Sequence, residues 1–116
     1  MARMTTQATA ERERGVCCSI EVTVPDERAT ELAAVLKALA DPTRVQIIAA
    51  LREAKEPLCT CDFTATSALS QPTITHHMQK LREAGLVDAT RKGIWTYYRL
   101  RPRLPANIRT IIEALA

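Results

Sequence analysis

Apolar residues recur every three or four positions along much of this 116-residue chain, which is the period of an α-helix. A first helix is predicted over 26–40. Its single apolar stripe consists of Ala29, Leu32, Ala33, Leu36 and Leu39. A second helix is predicted to begin after Asp41, because aspartate caps helix N-termini and Pro42 is tolerated in the first turn. The residues of this second helix that face inward are Val45, Ile48 and Leu51.

Two more helices follow, separated by a tight turn. A short third helix is predicted from about Cys61-Asp62 onward, and its apolar residues are Phe63, Ala65 and Ala68. Ser70 caps a fourth helix, which ends at Ala84-Gly85 because glycine is a favoured C-terminal cap. The core-facing residues of the fourth helix are Ile74, His77, Met78 and Leu81. His77 is therefore expected to be a packed core residue rather than a ligand.

The pattern changes after Gly85, where residues that favour strands replace the helical periodicity. Leu86–Thr90 and Trp95–Arg99 are predicted to pair as a hairpin whose tip, 91–94, is basic. A last helix is predicted after Pro102–Pro105, with apolar residues at Ile108, Ile111, Ile112 and Leu115. The order α1-α2-α3-α4-β-β-α5 describes a mainly α protein with a small β-hairpin, which is a winged helix-turn-helix.

The first 25 residues differ in character from the rest. Residues 1–15 are polar and charged, which predicts a disordered arm, and a stretch that favours a strand runs from Ile20 to Val24. We expect a flexible N-terminal arm over 1–25, which carries a cysteine pair, and a winged helix-turn-helix domain over 26–116. No stretch has the apolar length of a signal peptide or a membrane span, so we expect a cytoplasmic protein without a membrane partner.

Basic residues are concentrated in one part of the chain. The net charge is only +3, yet Ser70 to Arg103 contains seven Lys and Arg residues against two acidic ones. Such a stretch predicts a face that meets a polyanion. The exposed face of the fourth helix offers hydroxyls and amides for base edges, and the hairpin tip offers cations for phosphates. The predicted DNA-binding residues are Ser70, Gln71, Thr73, Thr75, His76, Gln79, Lys80, Arg91 and Lys92.

Four cysteines form two close pairs, Cys17-Cys18 in the arm and Cys59-Thr60-Cys61 at the start of the third helix. In a reducing cytoplasm they are expected to bind a metal or to sense redox state rather than to form structural disulfides. The sulfurs of Cys59 and Cys61 can converge if Cys59 is still extended, and the helix N-terminus is expected to lower the thiol pKa. An all-sulfur site selects arsenite, Hg, Cd or Pb over hard cations.

Four segments of the chain closely resemble the ArsR/SmtB family of metal-sensing bacterial repressors. They are Leu39–Arg44, Leu58–Phe63, Leu69–Leu81 and Gly93–Leu100, and the resemblance extends over about residues 27–115. It implies a dimeric winged helix in which the first and last helices pack the two subunits together. It also implies that metal binding releases operator DNA.

The resemblance also indicates where the metal ligands lie. Arsenite sensors of this pattern have a third cysteine at the position of Thr64, which is absent here, so the resemblance implies that the arm supplies the missing sulfur. Zinc-responsive members use His and carboxylate ligands on the last helix, but 103–116 contains no His or Asp and only one Glu. We therefore exclude that zinc site. The candidate metal ligands are Cys17, Cys18, Cys59 and Cys61.

These observations predict a homodimeric repressor that binds double-stranded operator DNA and is released by arsenite, As(III), bound to cysteine thiolates. Two alternatives stay open: a Cd(II)-, Pb(II)- or Hg(II)-responsive repressor of the same fold, and a repressor that senses redox state through its thiols. An enzyme is not expected, because the sequence contains no visible nucleophile–base pair and only three glycines, too few for a phosphate loop.

Overall fold

The structure is a computed structural model that describes residues 4–5, 14–17 and 19–115. Two compact units can be distinguished, 1–31 and 32–116, and each is described by itself. The predicted domain division at residues 25 and 26 stays a prediction. The elements in chain order are β1 (Met4–Thr5), β2 (Glu21–Val22), α1 (Asp26–Leu39), α2 (Pro42–Glu53), β3 (Leu58–Cys59), α3 (Thr60–Thr66), α4 (Gln71–Glu83), β4 (Val87–Lys92), β5 (Trp95–Leu100) and α5 (Ala106–Glu113).

The N-terminal unit contains a short antiparallel pair of strands. Met4 lies opposite Val22 and Thr5 opposite Glu21, so the stretch predicted to favour a strand does contain β2. The expectation of disorder over 1–15 falls largely on residues outside the described ones, although 4–5 form β1.

The start of α2 follows the predicted capping chemistry. Asp41 is in an extended conformation, and its carboxylate accepts a hydrogen bond from the backbone N–H of Arg44 at 3.0 Å. That hydrogen bond is the main reason why the pKa of the Asp41 carboxyl is lowered below its usual range. Ile48 and Leu51 are buried as predicted, Val45 is half-buried, and the predicted inward set missed the buried Ile47.

The apolar stripe predicted for α1 is only partly buried within the chain. The buried residues of this helix are Val35, Ala38 and Leu39. Leu36 is 52% exposed, and Ala29 and Ala33 are also exposed, so these members of the predicted stripe are not buried by the described residues. The helical period was right, and the face buried by those residues is turned toward Val35 and Ala38. Leu36 consequently lies on a face that the described part of the chain leaves exposed.

The helix-turn-helix consists of α3 and α4. Ser70 caps α4 in an extended conformation, and its hydroxyl accepts a hydrogen bond from the N–H of Thr73 at 3.4 Å. The chain leaves α4 through Gly85, whose φ of +79° is a conformation that favours glycine, as the sequence predicted. Ile74, Met78 and Leu81 are buried as predicted.

The wing is the antiparallel hairpin β4–β5, and β3 adds a third strand in the order β3-β5-β4. Both hairpin strands extend further than predicted, so only Gly93 and Ile94 form the turn. The short strand β3 was not predicted, because two residues carry no readable period. With this hairpin, the helix order confirms the predicted winged helix-turn-helix fold.

A single core joins the helices and the wing in the second unit. Its most deeply buried residues come from α2, α4 and the start of β4, and they are Ile48, Ile74, Met78, Leu81, Leu86 and Val87. Tyr98 of β5 and Ile108 and Ile112 of α5 also belong to it, the last two as predicted, and α1 and α3 contribute Leu39 and Phe63 among others. Within the described ranges, no helix has the length and apolar character needed to cross a membrane.

The cap at Asp41 predicts an acid-sensitive contribution to stability. A carboxyl whose pKa is lowered in the folded state stabilises the fold fully above its unfolded pKa of about 4, and this contribution is lost as the pH falls through the lower folded pKa. We expect Asp41→Asn, which keeps a capping side chain, to be less stable than the wild type at neutral pH. This difference should shrink in acid. Thermal unfolding of both proteins between pH 7 and about 2 measures it, and a difference that is constant with pH would contradict the assignment.

Candidate nucleic-acid interface and cysteine site

One face of α4 is exposed and carries most of the residues predicted to bind DNA. The core anchors the opposite face through Ile74, Met78 and Leu81, so the polar side chains have a fixed direction. Gln71, Thr75, His76 and Gln79 lie together and line a shallow surface cavity with Pro72. The structure therefore brings hydroxyl, imidazole and amide groups together on one open surface, as a helix in a major groove requires.

The remaining predicted residues on α4 have partners within the chain. The hydroxyls of Ser70 and Thr73 lie 3.0 Å apart and hydrogen bond to each other, so they hold the first turn in addition to offering groups to a ligand. Lys80 lies 4.0 Å from the carboxylate of Glu83, and both side chains are about half exposed. An exposed pair of this kind is weak, so the Lys80 ammonium stays available to a phosphate.

His77 connects α4 to the junction between α1 and α2. Its Nδ1 lies 3.3 Å from the Arg44 guanidinium, which can only donate a hydrogen bond, and 3.9 Å from the carboxylate of Asp41. Arg44 also donates from Nε to the carbonyl of Ala38 at 2.6 Å. The His77 side chain is only 14% exposed, so the prediction of a packed histidine is confirmed. Arg44 thus links the end of α1 and the start of α2 to α4, the helix whose exposed face is predicted to contact DNA bases and which is called the reading helix below.

A basic cleft between α4 and the wing was missed by sequence reasoning. Its lining contains three arginines and two acidic residues, Arg82, Arg99, Arg101, Glu83 and Asp88, together with Gln79. All three arginines are exposed, but Arg101 donates from Nε to the carboxylate of Asp88 at 3.0 Å, which leaves Arg82 and Arg99 as the cations available to a ligand. Arg99 could have been found from the sequence. Side chains alternate between the two faces of a strand, so Arg99 lies on the same face of β5 as Tyr97.

The wing tip presents Arg91 and Lys92 to solvent, as predicted. Arg91 donates from Nε to the carbonyl of Gly93 at 3.3 Å, and the Lys92 ammonium lies 5.8 Å from the ring centre of Tyr97. Both contacts are local and exposed, so they position the two cations without neutralising them.

Cys59 and Cys61 come together where β3 ends and α3 begins. Cys59 is extended, pairs with Tyr97 of β5 and is 4% exposed. Its backbone N–H donates to the carboxylate of Asp62 at 2.8 Å, which fixes the first turn of α3. Cys61 is exposed. The predicted extended conformation of Cys59 is confirmed, and it allows both thiols to point to the same place.

The predicted lowering of the thiol pKa was wrong for Cys61. The pKa of its thiol is raised, above all because its side chain hydrogen bonds with that of Cys59, and further because of desolvation and the nearby negative charge of Asp62. The proximity of Cys59, which a shared metal site requires, therefore raises the pKa of the Cys61 thiol by more than the helix N-terminus lowers it. Thr64 lies one turn into α3, and its hydroxyl donates to the carbonyl of Cys61 at 3.1 Å.

The arm cysteines are only partly described. Cys17 is an exposed free thiol, and Cys18 lies outside the described residues. Over residues 4–5, 14–17 and 19–115, no three His, Cys, Asp or Glu side chains are grouped to hold a metal ion. The donor set at the start of α3 is thus two soft sulfurs, which suit a thiophilic ion but leave a three-sulfur site one ligand short.

Comparison with known proteins places these features in a family. A helix-turn-helix with a polar reading face and a basic wing defines a DNA-binding transcription regulator. A sequence profile of bacterial regulatory proteins of the arsR family matches residues 41–89. The arsenical resistance operon repressor of Escherichia coli is 43% identical over 79 residues, which cover 68% of this chain and 67% of that protein. The chain belongs to the ArsR family, whose members are regulators and not enzymes.

Three further similarities, one to a relative in sequence and two to solved structures, agree with this family. The arsenic resistance transcriptional regulator ArsR1 of Pseudomonas putida is 41% identical over 81 residues, which are 70% of this chain. They are only 62% of that relative, so the chain spans less than two thirds of its length. Among solved structures, HlyU from Vibrio cholerae has a TM-score of 0.67 at 25% identity, covering 78% of this chain and 94% of HlyU. NolR from Sinorhizobium fredii has a TM-score of 0.64 at 29% identity, covering 82% and 92%.

The contacts of Arg44 predict a measurable loss when its guanidinium is removed. We expect Arg44→Met to lower the free energy of unfolding by about 1–3 kcal/mol, because the carbonyl of Ala38 and Nδ1 of His77 both lose a charged donor. Urea unfolding measures this loss. The matched control is Arg52→Met, because Arg52 is exposed and its hydrogen bond to the carbonyl of Glu113, at 3.2 Å, lies at the surface. Equal losses in the two variants would contradict the linking role of Arg44.

Proposed function

We propose that this protein is a homodimeric repressor that binds operator DNA in the cytoplasm and releases it when arsenite binds to cysteine thiolates. The observation that carries the proposal is the placement of two free thiols, Cys59 and Cys61, where the extended end of β3 turns into α3 at the start of the helix-turn-helix. Two soft donors at this place can change DNA affinity, because α3 packs directly against the reading helix α4. The names of the Escherichia coli and Pseudomonas putida relatives support arsenic as the inducer.

The third sulfur is proposed to come from the arm, at Cys17 or Cys18. Arsenite forms three bonds to sulfur in a trigonal site, and α3 offers only two thiols. The hydroxyl at Thr64 is a poor substitute, because it is a hard donor and is bonded to the carbonyl of Cys61. An ion bound by thiols of both the arm and α3 would restrain the helix-turn-helix at the N-terminus of α3.

Dimerisation is proposed to use α1 and α5. Leu36 on α1 is 52% exposed, and Ile111 and Leu115 at the end of the chain are only half-buried, so both helices retain uncovered apolar surface. A second copy that covers this surface would place two reading helices about 34 Å apart, which matches successive major grooves.

The central prediction concerns release of DNA by arsenite. We expect the wild-type protein to leave its operator when arsenite is added, and Cys61→Ser to stay bound, because one of the two sulfurs on α3 is lost. Fluorescence anisotropy of labelled DNA measures the release. Cys61 is the better position to change because it is exposed, whereas Cys59 is buried and its replacement can also disturb the fold.

Controls at the other thiols separate the alternatives. Cys17→Ser and Cys18→Ser, singly and together, test the contribution of the arm. In the double variant, Thr64→Cys is expected to restore release by placing a third sulfur on α3. Release by hydrogen peroxide without any metal would support a thiol redox sensor instead. A response to Cd(II), Pb(II) or Hg(II) but not to arsenite would support the proposed cysteine site and identify a different inducer.

The DNA-binding face predicts two kinds of variant. Lys92→Ala should lower the slope of log affinity against log salt concentration by about 1, because one phosphate contact is lost. Gln79→Ala should leave this slope unchanged and weaken binding to the preferred sequence by about 1–3 kcal/mol, because it removes a contact to a base. Lys55→Ala is the matched control, since Lys55 is an exposed lysine in the loop before β3. If Lys55→Ala and Lys92→Ala change the slope equally, the wing does not contact DNA.

A further inference from the structure

The end of the wing carries two apolar side chains that residues 4–5, 14–17 and 19–115 leave exposed. Ile94 is 81% exposed and is the most exposed large apolar residue in the described part of the chain. Its neighbour Trp95 is 48% exposed. The buried part of the hairpin ends at Tyr98, so both residues lie beyond the core. Two adjacent large apolar side chains that the described residues leave exposed form a surface suited to contact with another molecule.

The register of the hairpin shows which groups accompany the tryptophan. Trp95 lies opposite Lys92, and directly opposed residues share one face of a hairpin. Tyr97, two residues along β5, shares that face, and its ring lies below the Lys92 ammonium. Arg91 lies on the other face, opposite Thr96. The tip is therefore an apolar end with one cation on each face, built on a turn in which Gly93 has φ of +63°.

Charge indicates which molecule covers this tip. The segment 86–101 contains four Lys and Arg residues and a single acidic residue, Asp88, which is bonded to Arg101. Two copies that met tip to tip would bring like charges together without a compensating acid at the tip. Duplex DNA offers the complement, because apolar deoxyribose rings line its grooves between rows of phosphates.

We propose that Ile94 and Trp95 pack against the deoxyribose wall of a DNA groove beside the one read by α4, while Arg91 and Lys92 contact the flanking phosphates. This inference rests on the proposed DNA-binding function and assigns an apolar contact that the polar residues of the interface do not provide. Minor-groove proteins often combine apolar side chains with cations in this way. The contact adds affinity without reading individual bases.

Trp95 is the only tryptophan of the chain, so its fluorescence reports the contact directly. The probe is a duplex of about 30 base pairs, selected from a random pool by the wild-type protein and long enough for two half-sites. An unrelated duplex of equal length at low salt serves as the non-specific probe. We expect the free protein to be quenched readily by acrylamide and the DNA-bound protein to lose most of this quenching.

Variants test the energetic role of the two side chains. Trp95→Ser and Ile94→Ser should each weaken DNA binding, by about tenfold for the tryptophan, with the salt slope unchanged because no charge is lost. Trp95→Phe should retain part of the affinity, since an aromatic ring remains. Val22→Ser is the matched control, because Val22 is an apolar residue outside the wing whose exposure of 67% lies between those of Trp95 and Ile94. Unfolding curves are expected to show that each variant keeps its fold.

The outcomes separate this inference from the proposed function. If the wild type binds neither duplex, both fail. If it binds DNA while the quenching of Trp95 stays unchanged, the contact is wrong and the repressor function stands. If quenching falls as the protein concentration rises without DNA, a second copy covers the tip, and the inference is overturned.

Discussion

Burial of one face of α4 is the constraint on which the rest of the structure depends. Ile74, Met78 and Leu81 are almost fully enclosed, and α4 packs on α2, α3 and β4 at once. A helix fixed on three sides cannot rotate without opening the core, so its outer face is presented in one direction. The hydrogen bond between Arg44 and His77 adds a polar restraint to the apolar one, and it links the reading helix to the end of α1.

The same packing explains why two thiols at the start of α3 are well placed for control. Cys59 is paired with β5 in the wing and is also the residue from which α3 begins. Any force applied at Cys59 and Cys61 therefore acts on α3, on α4 packed against it and on the wing. An inducer that shifts DNA affinity through such a link must itself bind more weakly to the DNA-bound form, because the coupling between two sites is reciprocal.

Particular residues show what the sequence could predict. Caps at Asp41 and Ser70 and the glycine after α4 are local chemistry, so the helix limits there were within one or two residues of those observed. The reading face of α4 followed from its period alone. The buried face of α1 could not be predicted in this way, because Leu36 fits the apolar pattern as well as Val35 does. Only the arrangement of the other helices decides which of the two side chains is enclosed. Strand β3 and the basic cleft at Arg82 and Arg99 depend on segments far apart in sequence.

The sequence by itself determined the order of the helices, the polar face of α4, the basic tip of the wing and the two pairs of thiols. These features depend on local periodicity, capping and composition. The tertiary structure decided the pairing of Cys59 with the wing, the contact of His77 with Arg44 and the exposure of Trp95. Each of these depends on which groups are brought within a few ångströms of one another, because hydrogen bonds, desolvation and burial act only at short range.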